Sequence, residues 1–265
     1  MKKAFILLLA CLMLLPSAMA AEECRIPGSM GDIYTVLKMP EADGPVPLVI
    51  LCHGFGGSHV GNLDYADFFA AGGFAACSLD FCGGGLISRS AGKMTDMTVL
   101  TEAQDLNAVI DHFLRDPRFS SVCLWGESQG GFVSSYVAAS RPEDIEVLAL
   151  EYPAFVLVDT ARASRREDGT FPETGRLLGM KIGRAYYEAL AGIDIYAHIP
   201  AYQGPVLILH GDRDRLVPLS YSERALDAFA HAELVVMPGQ GHGFLFSGRR
   251  EAMEKELAFL RSVCE

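Results

Sequence analysis

Short, largely apolar runs that stop at glycine alternate with segments of helical periodicity along most of this chain, and few folds can bury such a pattern. Residues 47–52 and 74–81 are two such runs, closed by His53-Gly54 and by Gly83-Gly84-Gly85. Between them, 62–71 reads as a helix ended by Gly72-Gly73. From 96 to 114, Val99, Ala103, Leu106, Ile110 and Phe113 recur at helical spacing until Asp116-Pro117 stops them. Strand-like 121–125, helix-like 128–140 and strand-like 146–152 follow, and 205–210, 220–230, 233–237 and 249–264 continue the alternation. Residues 33–39 alternate as a further strand. Runs apolar throughout are buried on both faces, so the class is α/β, with a mostly parallel central sheet and helices on both faces. One stretch breaks the rhythm. Residues 153–203 span about fifty positions where a crossover needs about a dozen. With a charged segment over 162–168 and helical candidates over 177–190, they are expected to form an inserted cap rather than a second domain.

The first twenty residues stand apart. Lys2 and Lys3 precede an apolar run over 4–15, Pro16 breaks it, and Ala18-Met19-Ala20 has the small-x-small form of a cleavage site. Residues 1–20 therefore read as a signal peptide. The run is too short for an ordinary membrane span, so the expectation is a secreted or periplasmic protein with no stable membrane insertion. Leu8-Leu9-Ala10-Cys11 loosely resembles a lipoprotein box, but the apolar stretch continues beyond Cys11 and export without a lipid anchor is the reading adopted.

Lys2 and Lys3 are the only charges in 1–20, so their removal takes the formal charge from −11 to −13. With no block of Lys or Arg, a nucleic-acid partner is not expected. Six cysteines remain after 1–20, at 24, 52, 77, 82, 123 and 264. Those at 52, 77 and 123 sit in apolar runs as small hydrophobes. An oxidising compartment permits a bridge between Cys24 and Cys264 near the two ends, with connectivity otherwise open. No CxxC or HExxH is present, and no metal site is expected.

Chemistry concentrates at Gly126-Glu127-Ser128-Gln129-Gly130-Gly131. Apolar Val122-Cys123-Leu124-Trp125 leads in as a strand and 132–139 follows as a helix, which is the setting of a nucleophile elbow. A serine nucleophile needs a base, an orienting acid and oxyanion donors. His242, in the glycine-flanked turn Gly241-His242-Gly243 after the last apolar strand, is the base expected from the Ser–acid–His chain order. Asp212 and Asp214, in the loop after the strand at 205–210, are both candidates for the acid. One oxyanion donor is expected from the N–H of Gln129 and the other from Phe55, in the glycine-rich loop 53–58.

Together these segments resemble the α/β-hydrolase superfamily, and within it the bacterial cinnamoyl and feruloyl esterases. The likeness is carried by HGFGGS at 53–58, MTVLTEAQDLNAVI at 97–110, GESQGG at 126–131, HGDRDRLVP at 210–218 and GQGHGF at 239–244. The resemblance implies an α/β-hydrolase domain over 21–265 with the 153–203 cap inserted. It assigns the acid to Asp214 and the oxyanion donors to Phe55 and Gln129. It also implies that a cap acid receives the phenolic hydroxyl of the substrate, and Asp159 stands near the expected place. The activity implied is hydrolysis of small aromatic esters through an acyl-enzyme, with no cofactor and a small-molecule ester as the partner. General short-chain carboxylesterases and serine peptidases or amidases use the same triad.

Overall fold

The computed structural model describes residues 21–264; the leader reading for 1–20, with Cys11, lies outside the described residues. Eight strands form one sheet: β1 (Ala21–Gly28), β2 (Gly31–Lys38), β3 (Val46–Cys52), β4 (Ala75–Asp80), β5 (Phe119–Glu127), β6 (Val147–Glu151), β9 (Val206–Gly211) and β10 (Ala232–Met237). Their spatial order is β1-β2-β4-β3-β5-β6-β9-β10. Only the β1–β2 and β2–β4 pairings are antiparallel. The sheet is thus the mostly parallel one its apolar runs predict. β1 is the exception to that reading: a largely exposed edge strand carries no apolar run to announce it.

Both faces of the sheet are covered. Along β3, Leu48, Ile50 and Cys52 enter one core while Val49 and Leu51 enter the other, as the two-residue strand period requires. Helices α2 (Val99–Phe113) and α3 (Ser128–Ser140) pack on the first face, and α1 (Leu63–Ala71) and α8 (Ser247–Cys264) on the second. α2 starts where Thr98 and Thr101 exchange side-chain hydrogen bonds with each other's backbone N–H in a capping box.

Between β6 and β9 lie α4 (Leu157–Ala163), a hairpin of β7 (Thr174–Leu177) and β8 (Met180–Gly183), α5 (Arg184–Ala191) and the short α6 (Ile195–His198). α7 (Ser220–Ala228) connects β9 to β10. The hairpin corrects the helical expectation over 177–190. Leu178 and Gly179 both take positive φ, at +48° and +82°, and turn the chain back on itself before a helix begins at Arg184.

The Cys24–Cys264 bridge is also corrected. Cys24 lies on β1 with its Sγ 4.0 Å from His112 Nε2 of α2, packed against the first core. Cys264 lies on α8, on the other face, with its Sγ 3.7 Å from that of Cys123. The sheet stands between the two sulfurs. Among the described residues, no helix is long and apolar enough to cross a membrane, and no three His, Cys, Asp or Glu side chains come together as a metal site requires.

Candidate active site

β5 carries Ser128 to the carboxyl end of the sheet, where it opens α3 with φ of +51°. That left-handed conformation is sparsely populated by any residue but glycine and holds only when the surroundings enforce it. Here strand and helix meet too closely for side chains. A Cβ at Gly126 would lie 2.5 Å from the Gly130 carbonyl oxygen, and one at Gly130 would run into the Cys52 carbonyl of β3.

His242, in the loop between β10 and α8, reaches Ser128. Its Nε2 is 3.0 Å from Ser128 Oγ, and its Nδ1 is 2.8 Å from Asp214 Oδ2. With Nδ1–H donating to the carboxylate, Nε2 is free to accept the hydroxyl proton. Asp214 also accepts at Oδ1 from the N–H groups of Leu216 and Val217, at 2.8 and 2.9 Å. Burial alone would raise its pKa, but hydrogen bonds from His210, His242 and the Val217 N–H outweigh burial and hold the carboxyl well below the usual carboxylate range. His210 braces the same loop, its Nε2–H donating to the Val217 carbonyl at 2.9 Å while Ser222 Oγ lies 2.7 Å from Nδ1. Asp212, the other candidate acid, accepts from the Gly239 N–H at 2.6 Å and ties the Asp214 loop to the His242 loop.

The glycine-rich loop after β3 passes over Ser128: a Cβ at Gly54 would stand 3.1 Å from that of Ser128. The loop is pinned from both sides. His53, buried, donates Nδ1–H to the Gly54 carbonyl at 2.8 Å and accepts the Phe81 N–H at Nε2 at 3.1 Å. Burial lowers its pKa and keeps it neutral in that role. Gly56 N–H donates to the Gly84 carbonyl at 2.9 Å, leaving Phe55 at the crown of the loop. Gln129 stands in the first turn of α3, where a backbone N–H has no intrahelical acceptor.

Two adjoining hollows meet at Ser128. A cleft of about 190 Å³ is lined by Gly54, Phe55, Tyr152, Leu178, His242 and Gly243 among others. A cavity of about 170 Å³ runs under the cap between Phe55, Ala154, Leu157, Leu177, Leu178 and Val217, and none of its lining residues is charged.

Asp159 is not part of this arrangement. Leu157, Thr160 and Ala161 turn one side of α4 inward, which places Asp159 on the other side, where it accepts from Tyr221 Oη at 2.8 Å. Four residues around the site were given no role by the sequence reading. Glu127 accepts from the Gly54 N–H at 3.4 Å and from Tyr152 Oη at 2.9 Å. Tyr152, at φ of +38°, packs its ring 4.7 Å from that of His242. Glu102 and Tyr186 both bond the Gln129 side chain. Glu102 had a visible mark: three residues after Val99, it is a carboxylate on the apolar stripe of α2.

The sequence profile of the prolyl oligopeptidase family matches residues 64–265. The chain is 27% identical over 250 residues to a monoacylglycerol lipase of Mycolicibacterium smegmatis, covering 81% of this chain and 87% of that one. Its structure is similar to that of Est1E from Butyrivibrio proteoclasticus with ferulic acid bound, at a TM-score of 0.80 and 25% identity over 88% of this chain and 95% of the other. A monoacylglycerol lipase from Paleococcus ferrophilus shares the fold at a TM-score of 0.70 and 18% identity, over 87% of this chain and 98% of the other.

Proposed function

This chain belongs to the prolyl oligopeptidase family and is an α/β-hydrolase of the esterase and lipase kind, and from there we propose that it cleaves small carboxylic esters through an acyl-enzyme on Ser128. Ser128 Oγ attacks the ester carbonyl as its proton passes to His242 Nε2. Asp214 holds the imidazole in the required tautomer and stabilises the imidazolium. The N–H groups of Phe55 and Gln129 receive the tetrahedral oxyanion. The alcohol leaves with the proton from His242, and water, activated by the same nitrogen, releases the acid. The observation carrying this reading is the line Ser128–His242–Asp214, bonded at 3.0 and 2.8 Å at the mouth of an apolar cavity. The leader over 1–20 extends the proposal to export, with the enzyme working as a secreted or periplasmic protein.

The acyl group is proposed to enter that cavity, and the likeness to the ferulic-acid-bound Est1E favours an aromatic one of the feruloyl or cinnamoyl type. With Asp159 engaged by Tyr221, a phenolic hydroxyl finds no carboxylate there, so cinnamoyl esters should be cleaved at least as well as feruloyl esters. A second reading, a short-chain or monoacylglycerol esterase, draws on the Mycolicibacterium relative and on Leu178 and Leu216, which line the cavity and are also exposed. The test is hydrolysis of methyl cinnamate, methyl ferulate, p-nitrophenyl butyrate and a short monoacylglycerol, with an anilide to expose amidase activity. Aromatic kcat/KM equal to or above that for butyrate supports the first reading. Turnover of the aliphatic esters alone selects the second, and turnover of the anilide alone overturns both.

A further inference from the structure

Gln129 is expected to serve through its backbone, yet its side chain is fully buried and both ends of its amide are engaged. Nε2 donates to Glu102 Oε2 at 2.8 Å, and Oε1 accepts from Tyr186 Oη at 2.6 Å. Glu102 comes from α2 and Tyr186 from α5 of the cap. The ring of Tyr186 also meets Phe55 edge-on, with centroids 6.0 Å apart and planes at 61°. One cap residue therefore touches both residues whose N–H groups are proposed to hold the oxyanion. The cap grips the same loop one residue on, where Met180 packs so closely against Gly56 that a Cβ there would collide with it.

We infer that Tyr186 and Glu102 are positioning residues, which lock Gln129 and Phe55 to the cap and to α2 so that both backbone donors are aimed at the tetrahedral oxyanion. The inference rests on the hydrolase reading above. A buried amide must satisfy its polar atoms, and partners on two different elements leave it a single orientation. That orientation carries the first turn of α3 with it. Oxyanion stabilisation depends on donors being in place before charge develops, so small displacements are costly. An ionised carboxylate so close to the oxyanion would oppose it. Burial, with Asp105 one turn along α2 adding to it, pushes Glu102 up to about 8, so it bonds Gln129 without adding charge at neutral pH. The other titratable groups around it, Cys52 of β3 and Tyr186 of α5, are raised by burial and remain neutral there.

The test compares Tyr186→Phe, Glu102→Leu and Glu102→Gln by steady-state kinetics on an accepted ester. It adds their affinity for a trifluoromethyl ketone, to whose carbonyl carbon Ser128 Oγ adds as its proton passes to His242, leaving a tetrahedral oxyanion. Tyr186→Phe, which keeps the ring and removes only the hydroxyl, and Glu102→Leu should each lower kcat by about tenfold. KM should stay within about twofold and ketone affinity should fall in parallel with kcat. Glu102→Gln, which retains an acceptor for Gln129, should restore both. Unchanged kcat and ketone affinity in Tyr186→Phe would overturn the proposal, as would a raised KM with kcat intact. Stoichiometric labelling by a fluorophosphonate separates the two levels: an unlabelled Ser128 in the parent protein sinks the hydrolase reading itself, whereas full labelling with unaltered Tyr186→Phe kinetics sinks only the positioning role.

Discussion

Both faces of the sheet bury carboxyl groups, and they use them differently. On the cap face, Glu102 bonds Gln129, the residue that follows Ser128. On the opposite face, Glu151 at the end of β6 accepts from Tyr65 Oη at 2.5 Å, and Glu256 of α8 accepts from Trp125 Nε1 at 2.7 Å. The two carboxyls are buried neighbours, each with its Oε2 left without a hydrogen-bond partner, and the like charge of one opposes ionisation of the other. Burial pushes Glu151 up to about 7 and Glu256 well above its ordinary range. Neither lines the hollows at Ser128. They join α1, β5, β6 and α8 across a closed core. A strongly shifted buried acid therefore points to a reaction only when its partner reaches the reacting atoms.

The largest effect should come from the site itself. Ser128→Ala and Asp214→Asn should each lower kcat by about 10⁴-fold or more; the urea midpoint should stay close to that of the parent in Ser128→Ala and fall in Asp214→Asn, which forfeits the stability of the ionised carboxyl. On the other face, Tyr65→Phe leaves Glu151 without its donor and should cost about 1–3 kcal/mol of unfolding free energy, with kcat per folded molecule within about twofold. A loss of kcat exceeding that expected from unfolding would show that the two faces are coupled.

Stability against pH sharpens the contrast. Glu102 and Glu151 keep their protons in the folded chain above 4.5, where an unfolded glutamate releases them, up to about 8 and about 7. Within that window the folded state binds more protons, so their effect is to lower stability as pH rises. Asp214 acts in the opposite sense: its depressed pKa contributes stability above the unfolded value of 3.8 that is lost as pH falls. Tm should therefore peak near pH 5 and fall by a few degrees toward pH 8, and Glu256→Gln should flatten that fall. A slope undiminished in Glu256→Gln would remove the carboxyl pair as its source. The smallest effect is expected from Asp159→Asn, which should change kcat/KM for ferulate relative to cinnamate by less than about twofold, because that side chain faces Tyr221. A selective loss on ferulate would return Asp159 to the substrate.

Ser128 could be singled out in the chain because an elbow is local, a strand, a turn and a helix within about twenty residues. His242 needed only the chain order added to that. Asp214 and Asp212 could not be separated by their own surroundings, because what distinguishes them is spatial. One meets His242 and two N–H groups of its own loop, the other a glycine twenty-seven positions away. Asp159 was misread for a related reason. Its side of α4 depends on how that helix is rotated against the sheet, and rotation is set by packing. The hairpin over Thr174–Gly183 was hidden because a turn at Leu178-Gly179 overrides the helical spacing of the apolar residues around it.

By itself the amino-acid sequence determined the class of fold, the alternation of strands and helices from residue 33 onward outside the stretch between β6 and β9, and the serine and histidine set at the ends of strands, since each depends on periodicity or on a turn a few residues long. Tertiary structure alone decided that Cys264 lies beside Cys123 and not Cys24, and that Tyr186 reaches the amide of Gln129 from 57 residues away. Such contacts join residues with no local correlation, and they exist only once strand order and the rotation of each helix against the sheet are set.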